Sequence, residues 1–112
     1  MVLAKTTLRA AAMLGLSGRQ LADVIGSSES TISRMASGAR TLPPQSKPGQ
    51  LAALVIRAYR SLDALVGDDE ARRLLWMTSY NSALNSIPRD AMRTPEGLAR
   101  VVTYLDGARA LT

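Results

Sequence analysis

The stretch that decides the fold is LSGRQLADVIGSSESTISRMASGAR, residues 16–40. Ser17 is a residue type that caps helices, and Gly26 permits a sharp turn after a first short helix. Ser27 or Ser28 then caps a second short helix. Two short helices joined by a tight turn constitute a helix-turn-helix.

The two predicted helices have distinct inner and outer faces. Leu21, Ile32 and Met35 supply apolar inner faces, and the small Ala22 lies where the two backbones cross. The outer face of the second helix carries short polar side chains and one arginine: Ser28, Glu29, Ser30, Ser33 and Arg34. Side chains of these types suit base edges and phosphates in a DNA major groove. An ordinary helical hairpin is the alternative interpretation of the pattern.

The rest of the chain is also helical in pattern, since apolar residues recur at spacings of three and four. Three of the five prolines lie in residues 39–49, which favours a loop there because proline does not continue a helix. We therefore predict an all-α protein, with a helix-turn-helix bundle followed by a small helical domain. Helices are expected over residues 3–14, 18–25, 28–37, 50–66, 68–80 and 95–108, with a short helical turn near 88–92.

Cysteine and histidine are both absent from the 112 residues. Their absence excludes disulfides and thiolate metal sites, and it removes the commonest general acid–base. The acidic run 68–70 is adjacent in sequence and is typical of a helix start rather than of a converging carboxylate pair. We expect no enzymatic activity, no catalytic residue, no cofactor and no metal site.

The net charge of +5 is unevenly distributed. Residues 1–56 carry six basic and two acidic side chains, whereas residues 57–112 carry eight and seven. A basic first half suggests a polyanionic partner, and a basic surface without a partner is the alternative. No apolar run approaches the roughly 20 residues that span a bilayer, so we expect no membrane association and a cytoplasmic location.

Four residues of the second half are candidate functional residues that also have an ordinary structural interpretation. Trp76, the single tryptophan, is either core filler or an interface anchor. Asn81 follows a predicted helix and is interpreted as its C-cap. Arg100 and Tyr104 lie one turn apart on the last predicted helix. They are either ordinary surface residues or part of a protein-binding patch.

Residues 16–40 resemble the helix-turn-helix of the Xre and lambdoid-repressor family, through the pattern LA-x-x-x-G-x-S-x-STIS-R. The resemblance implies base-reading roles for Glu29, Ser30 and Arg34. It implies phosphate or flanking contacts for Ser28, Thr31 and Arg40. Many family members carry a phosphate-clamping glutamine where this chain has Gly18, and Arg19 or Gln20 is the candidate substitute.

Residues 76–109 resemble the C-terminal toxin-binding domain of the MbcA/ParS/Xre antitoxins, and residues 56–67 match it too. The residues that carry the resemblance are Trp76, Asn81, Pro88, Thr94, Pro95, Glu96, Gly97, Val101, Tyr104, Leu105, Asp106 and Arg109. Many relatives have glycine before the proline, where this chain has Asn85-Ser86-Ile87. Asparagine tolerates the left-handed backbone region, so the turn is expected to survive.

Together the two resemblances imply a type II antitoxin that represses its own operon and covers the active site of a RES-domain, NAD⁺-degrading toxin. They imply toxin contacts by Trp76, Asn81, Arg100, Tyr104 and Arg109. Arg109 is the candidate to reach into the cleft, with residues 110–112 beside it. The expected partners are the toxin, operator duplex DNA and a second copy of the chain in a larger complex.

The predicted division is a DNA-binding region over residues 1–48 and a dimerisation and toxin-binding domain over 49–112. The alternative function is a stand-alone helix-turn-helix regulator whose second half only dimerises. The two hypotheses differ in the roles they give to Arg100, Tyr104 and Arg109.

Overall fold

The structure is a computed structural model that describes residues 3–111. Over this range the chain is all-α, as predicted. Its helices are α1 (Leu3–Met13), α2 (Gly18–Ile25), α3 (Glu29–Ala36), α4 (Lys47–Val66), α5 (Glu70–Thr78), α6 (Pro88–Ala91) and α7 (Pro95–Ala110). α2 and α3 form the predicted helix-turn-helix.

Local sequence signals account for the bounds of α2 and α3. The Ser17 hydroxyl accepts a 3.1 Å hydrogen bond from the Gln20 backbone N–H, and the Gln20 side chain accepts one of 2.8 Å from the Ser17 N–H. Gly26 ends α2 in the left-handed conformation, with a φ of 68°. Ser28, rather than Ser27, caps α3. The turn between the two helices is therefore encoded by single residues.

α4 begins three residues earlier than predicted, at Lys47 instead of residue 50. Ser46 caps it by accepting a 3.1 Å hydrogen bond from the Gly49 N–H. Pro48 lies in the first turn, where no backbone N–H is needed and the fixed φ of proline suits a helix. The proline that predicted a loop is in fact part of the helix start.

α4 is the central element, packing against α1, α2, α5 and α7. Its residues Ala52, Val55 and Leu62 are fully buried in a core that includes side chains from both halves of the chain. Alanines at the contact let neighbouring helices approach closely. The two halves therefore share one core, and the proposed boundary between residues 48 and 49 stays a prediction about function.

A buried arginine also joins the two halves. Arg73 of α5 is only 2% exposed, and its Nε donates a 2.7 Å hydrogen bond to the Met13 carbonyl oxygen at the end of α1. Its Nη1 lies 4.0 Å from an Asp63 carboxylate oxygen. The last carbonyls of a helix lack intrahelical partners, so Arg73 satisfies one of them.

Within residues 3–111, no helix is both long enough and apolar enough to cross a membrane. In the same range, no three side chains of metal-binding type converge on a point. Two surfaces carry the candidate residues: the outer side of the helix-turn-helix, and the exposed parts of α5, α7 and the segment between them.

Candidate functional site

The outer face of α3 presents hydroxyl groups and one guanidinium to solvent. The Ser28 hydroxyl accepts a 3.0 Å hydrogen bond from the Thr31 N–H and donates one of 2.9 Å to Thr31 Oγ1. One turn along the helix, Arg34 Nη1 donates a 2.9 Å hydrogen bond to Ser30 Oγ. The Arg34 guanidinium thus lies along the helix surface. This row of groups can exchange its internal hydrogen bonds for bonds to base edges or phosphates.

Glu29 and Ser33 lie on a different stripe of α3, on the flank that faces α1. They line a groove together with Leu8. The predicted outer face is exposed at Ser28, Glu29, Ser30, Ser33 and Arg34, but it divides into this flank and the stripe of Ser30 and Arg34. Residues four apart share a helix stripe, which explains the division.

The predicted phosphate contacts differ in their surroundings. Arg19, at the start of α2, is exposed. Gln20 uses its side-chain oxygen to cap α2, which holds this side chain at the start of the helix. Arg40 follows α3 and lies beside Lys5 of α1, on the same surface depression. Arg19 is therefore the stronger candidate to substitute for the family's glutamine at Gly18.

Trp76 lies partly in the core and partly on the surface. Its ring stacks on that of Tyr104, with centroids 6.3 Å apart and planes 17° from parallel. It packs against the core cluster, yet it also lines an open, mainly apolar depression with Leu75 and Tyr80, which are 65% and 63% exposed. Trp76 therefore has features of both core filler and an interface anchor.

The prediction that Asn81 caps α5 is wrong. α5 ends at Thr78, and Ser79 is its C-cap residue. The Asn81 side-chain oxygen instead accepts hydrogen bonds from the backbone N–H groups of Ala83 at 3.0 Å and Leu84 at 3.2 Å. Asparagine favours such forward bonds, which close a turn after its own position. Asn81 therefore shapes the loop between α5 and α6.

Arg100 holds the same loop from α7. Its Nη2 donates a 2.7 Å hydrogen bond to the Leu84 carbonyl oxygen. Asn85 adopts the left-handed backbone region, with a φ of 52°, as expected from the sequence, and its side chain accepts a hydrogen bond from the Tyr80 hydroxyl. Arg100 therefore stabilises the loop between α5 and α6. The spacing of residues along α7 does not predict this contact with Leu84.

The last turns of α7 are fixed to α4 through Asp106. The Ser61 hydroxyl donates a 2.7 Å hydrogen bond to Asp106 Oδ1, and Arg57 pairs with Oδ2. These contacts, Ser61 foremost, hold the pKa of Asp106 below its ordinary value, and the charge of Arg109 lowers it further. The stability they provide is present above the ordinary aspartate pKa and is lost as the pH falls through the lower folded-state pKa.

Arg109 lies exposed on this anchored turn, beside Arg57 and Asp106. Leu111 is 89% exposed. Thr112, the last residue of the predicted toxin contact, lies outside the described residues. The sequence did not indicate the anchor, since Ser61 and Asp106 are 45 positions apart and neither has a distinctive spacing.

Comparisons with known proteins match both halves of the chain. A family model described as the antitoxin Xre-like helix-turn-helix domain matches residues 1–57, and one described as the antitoxin Xre/MbcA/ParS C-terminal toxin-binding domain matches residues 61–110. A chain of the crystal structure of the M. tuberculosis MbcT–MbcA toxin–antitoxin complex is similar at 26% identity and a TM-score of 0.70. The similarity covers 95% of this chain and 92% of that one. No curated protein sequence matches.

Proposed function

The chain belongs to the Xre/MbcA/ParS family of antitoxins, and we propose that it neutralises a RES-domain toxin and represses its own operon. It is an antitoxin of a toxin–antitoxin system, with a helix-turn-helix domain and a toxin-binding domain. The observation that carries the proposal is the presence of both domains, in this order, on one continuous helical core. We propose that both activities take place in the cytoplasm.

Repression rests on the surface of α3. Arg34 supplies a charged donor, and Ser30 and Thr31 supply hydroxyls on the same side of the helix. Because α3 carries only this one arginine, the second helix of the motif supplies few charged contacts in a single copy. A homodimer on two half-sites doubles those contacts and steepens the salt dependence of binding. We therefore propose a dimer as the DNA-binding form.

Neutralisation rests on the carboxy-terminal end of α7. An inhibitor of an NAD⁺-degrading enzyme needs bulk to cover the cleft and a long side chain to enter it. Arg109 lies on a turn that Asp106 fixes to α4, and a guanidinium forms two-point hydrogen bonds with carboxylates. Trp76 and Tyr104, stacked at the surface, supply rigid apolar area of the kind that dominates protein interfaces.

The similarity to a chain from a toxin–antitoxin complex favours this proposal over a stand-alone regulator. In that alternative the exposed end of α7 has no partner, and Arg109 is ordinary surface. Asn81 and Arg100 act in the proposal through the loop that they shape, which lies beside the depression near Trp76.

Arg34→Ala is expected to weaken binding to the operator duplex about 10-fold, since one good contact to a base is worth roughly 1–3 kcal/mol. Neutralisation of the toxin should be unchanged, because Arg34 is exposed on α3 and its hydrogen bonds stay within that helix. Gel-shift titration measures the first effect, and growth of cells co-expressing the toxin measures the second.

Arg60→Ala is the matched control, because Arg60 is an exposed arginine of α4 outside both candidate surfaces. It should leave both readouts unchanged. Suppose that the Arg34→Ala protein stays folded. If it then lost both DNA binding and toxin neutralisation, or kept both, the assignment of DNA binding to α3 and of neutralisation to the second half would be refuted.

A further inference from the structure

A shallow depression lies where α2 meets the second half of the chain. It is lined by Arg19, Gln20, Asp23 and Val24 of α2 and by Arg89, Asp90 and Arg93. Arg93 Nη2 lies 3.8 Å from Asp23 Oδ2, and the two side chains are 63% and 50% exposed. Three arginines and two aspartates thus share one accessible surface that includes both halves.

One side of this depression belongs to α2, the first helix of the helix-turn-helix. In such domains the first helix crosses the phosphate backbone while the second enters the major groove. Arg19 is the second residue of α2, and Asp23 follows one turn later on the same stripe. Arg89 and Arg93 therefore lie beside a helix that faces phosphates.

Asp23 is unfavourable in that position, since its carboxylate repels phosphate. Arg93 is the cation that pairs with it. An exposed ion pair of this kind adds only about 0–1 kcal/mol to folding, so stability gives little reason for it. The pair has a larger effect on the binding of a polyanion, because Arg93 neutralises the negative charge of Asp23 on the surface of α2.

We propose that Arg89 and Arg93, which belong to the toxin-binding half, extend the phosphate-contacting surface of Arg19, and that Arg93 also screens Asp23 from DNA. The inference rests on the proposed binding of DNA by the helix-turn-helix. It adds residues from outside that motif to the DNA interface, and the binding partner is the phosphate backbone of duplex DNA of any sequence.

The test is the salt dependence of DNA binding by the full chain. The slope of log K against log salt is negative for DNA binding. For each bound protomer, Arg89→Gln combined with Arg93→Gln should reduce the magnitude of this slope by about 0.9 per lost phosphate contact. The loss should be the same for the operator and for an unrelated duplex. The control for DNA binding is Arg60→Gln combined with Arg72→Gln, an equal charge change on exposed arginines that do not line this depression beside α2.

Outcomes for the proposed function and for this inference are distinguishable. If the wild-type chain binds no duplex, the DNA-binding function itself fails. If the wild type binds and the two double variants behave alike, only the present inference is refuted. It is also refuted if the Arg89 and Arg93 changes weaken toxin binding and leave the salt slope unaltered.

Asp23→Asn separates screening from a merely structural ion pair. Under the proposal, Asp23→Asn restores part of the affinity for DNA that is lost in Arg93→Gln, since it removes the uncovered carboxylate. If the pair only positions α2, Asp23→Asn alone breaks the pair as well and lowers affinity as much as Arg93→Gln does. That second result contradicts the screening role.

Discussion

Gly97→Ala is expected to destabilise the protein by about 3 kcal/mol, at the upper end of the cost of overpacking. A methyl group at this position overlaps the Ala91 carbonyl oxygen and lies 2.7 Å from the Ala91 carbonyl carbon. Both atoms belong to backbone, so neither can rotate away. Gly97 also donates its N–H to the Thr94 hydroxyl at 3.1 Å, which fixes the start of α7. Urea unfolding followed by circular dichroism measures the loss.

Gly107→Ala is the matched control on the same helix. A methyl group there meets no atom within 4 Å. Because alanine favours helix over glycine by about 1 kcal/mol, this variant should be as stable as the wild type or more so. If the two variants unfolded at the same urea concentration, the close approach of α6 to α7 would not be the reason for Gly97.

Arg73→Met is expected to cost about 2–3 kcal/mol, in the range of a hydrogen bond that involves a charged group. Methionine approximates the volume of the arginine stem but leaves the Met13 carbonyl oxygen without the Arg73 hydrogen bond. The contact with Asp63 adds little, since that carboxylate is 39% exposed. Thermal unfolding of the purified variant measures the change.

Arg72→Met provides the comparison, because Arg72 is the preceding residue of the same helix and is exposed. Its effect should stay within about 0.5 kcal/mol. Equal stability of the two variants would show that the link from α5 to the end of α1 contributes nothing. Such a result would also weaken the argument that the two halves form one cooperative unit.

The sequence predicts helices well here because capping residues and apolar spacing are local signals. Ser17, Gly26 and Thr94 each act within four residues of their own position. The early start of α4 and the role of Asn81 were not predicted, because proline and asparagine each have two common uses near helix ends. Local signals do not decide between those uses.

The candidate sites were predicted less completely than the helices. Spacing indicates which face of α3 is polar, and the structure exposes that face. Spacing does not indicate which helices become neighbours. The proximity of Arg93 to α2 and of Ser61 to Asp106 depends on packing between segments far apart in sequence, so no single stretch reveals it.

The central claim is that the end of α7 inhibits the toxin while α3 binds DNA. The most direct measurement is inhibition of the proposed NAD⁺-degrading toxin, with NAD⁺ consumption as the readout, using the full chain and a chain that ends at Asp106. Every described residue after Asp106 is exposed or half-buried, so the shorter chain should fold and keep its affinity for DNA. We expect inhibition by the full chain and a loss of about 30-fold or more in the shorter one, the effect of removing one dominant contact of about 2 kcal/mol. Equal inhibition by the two chains would contradict it.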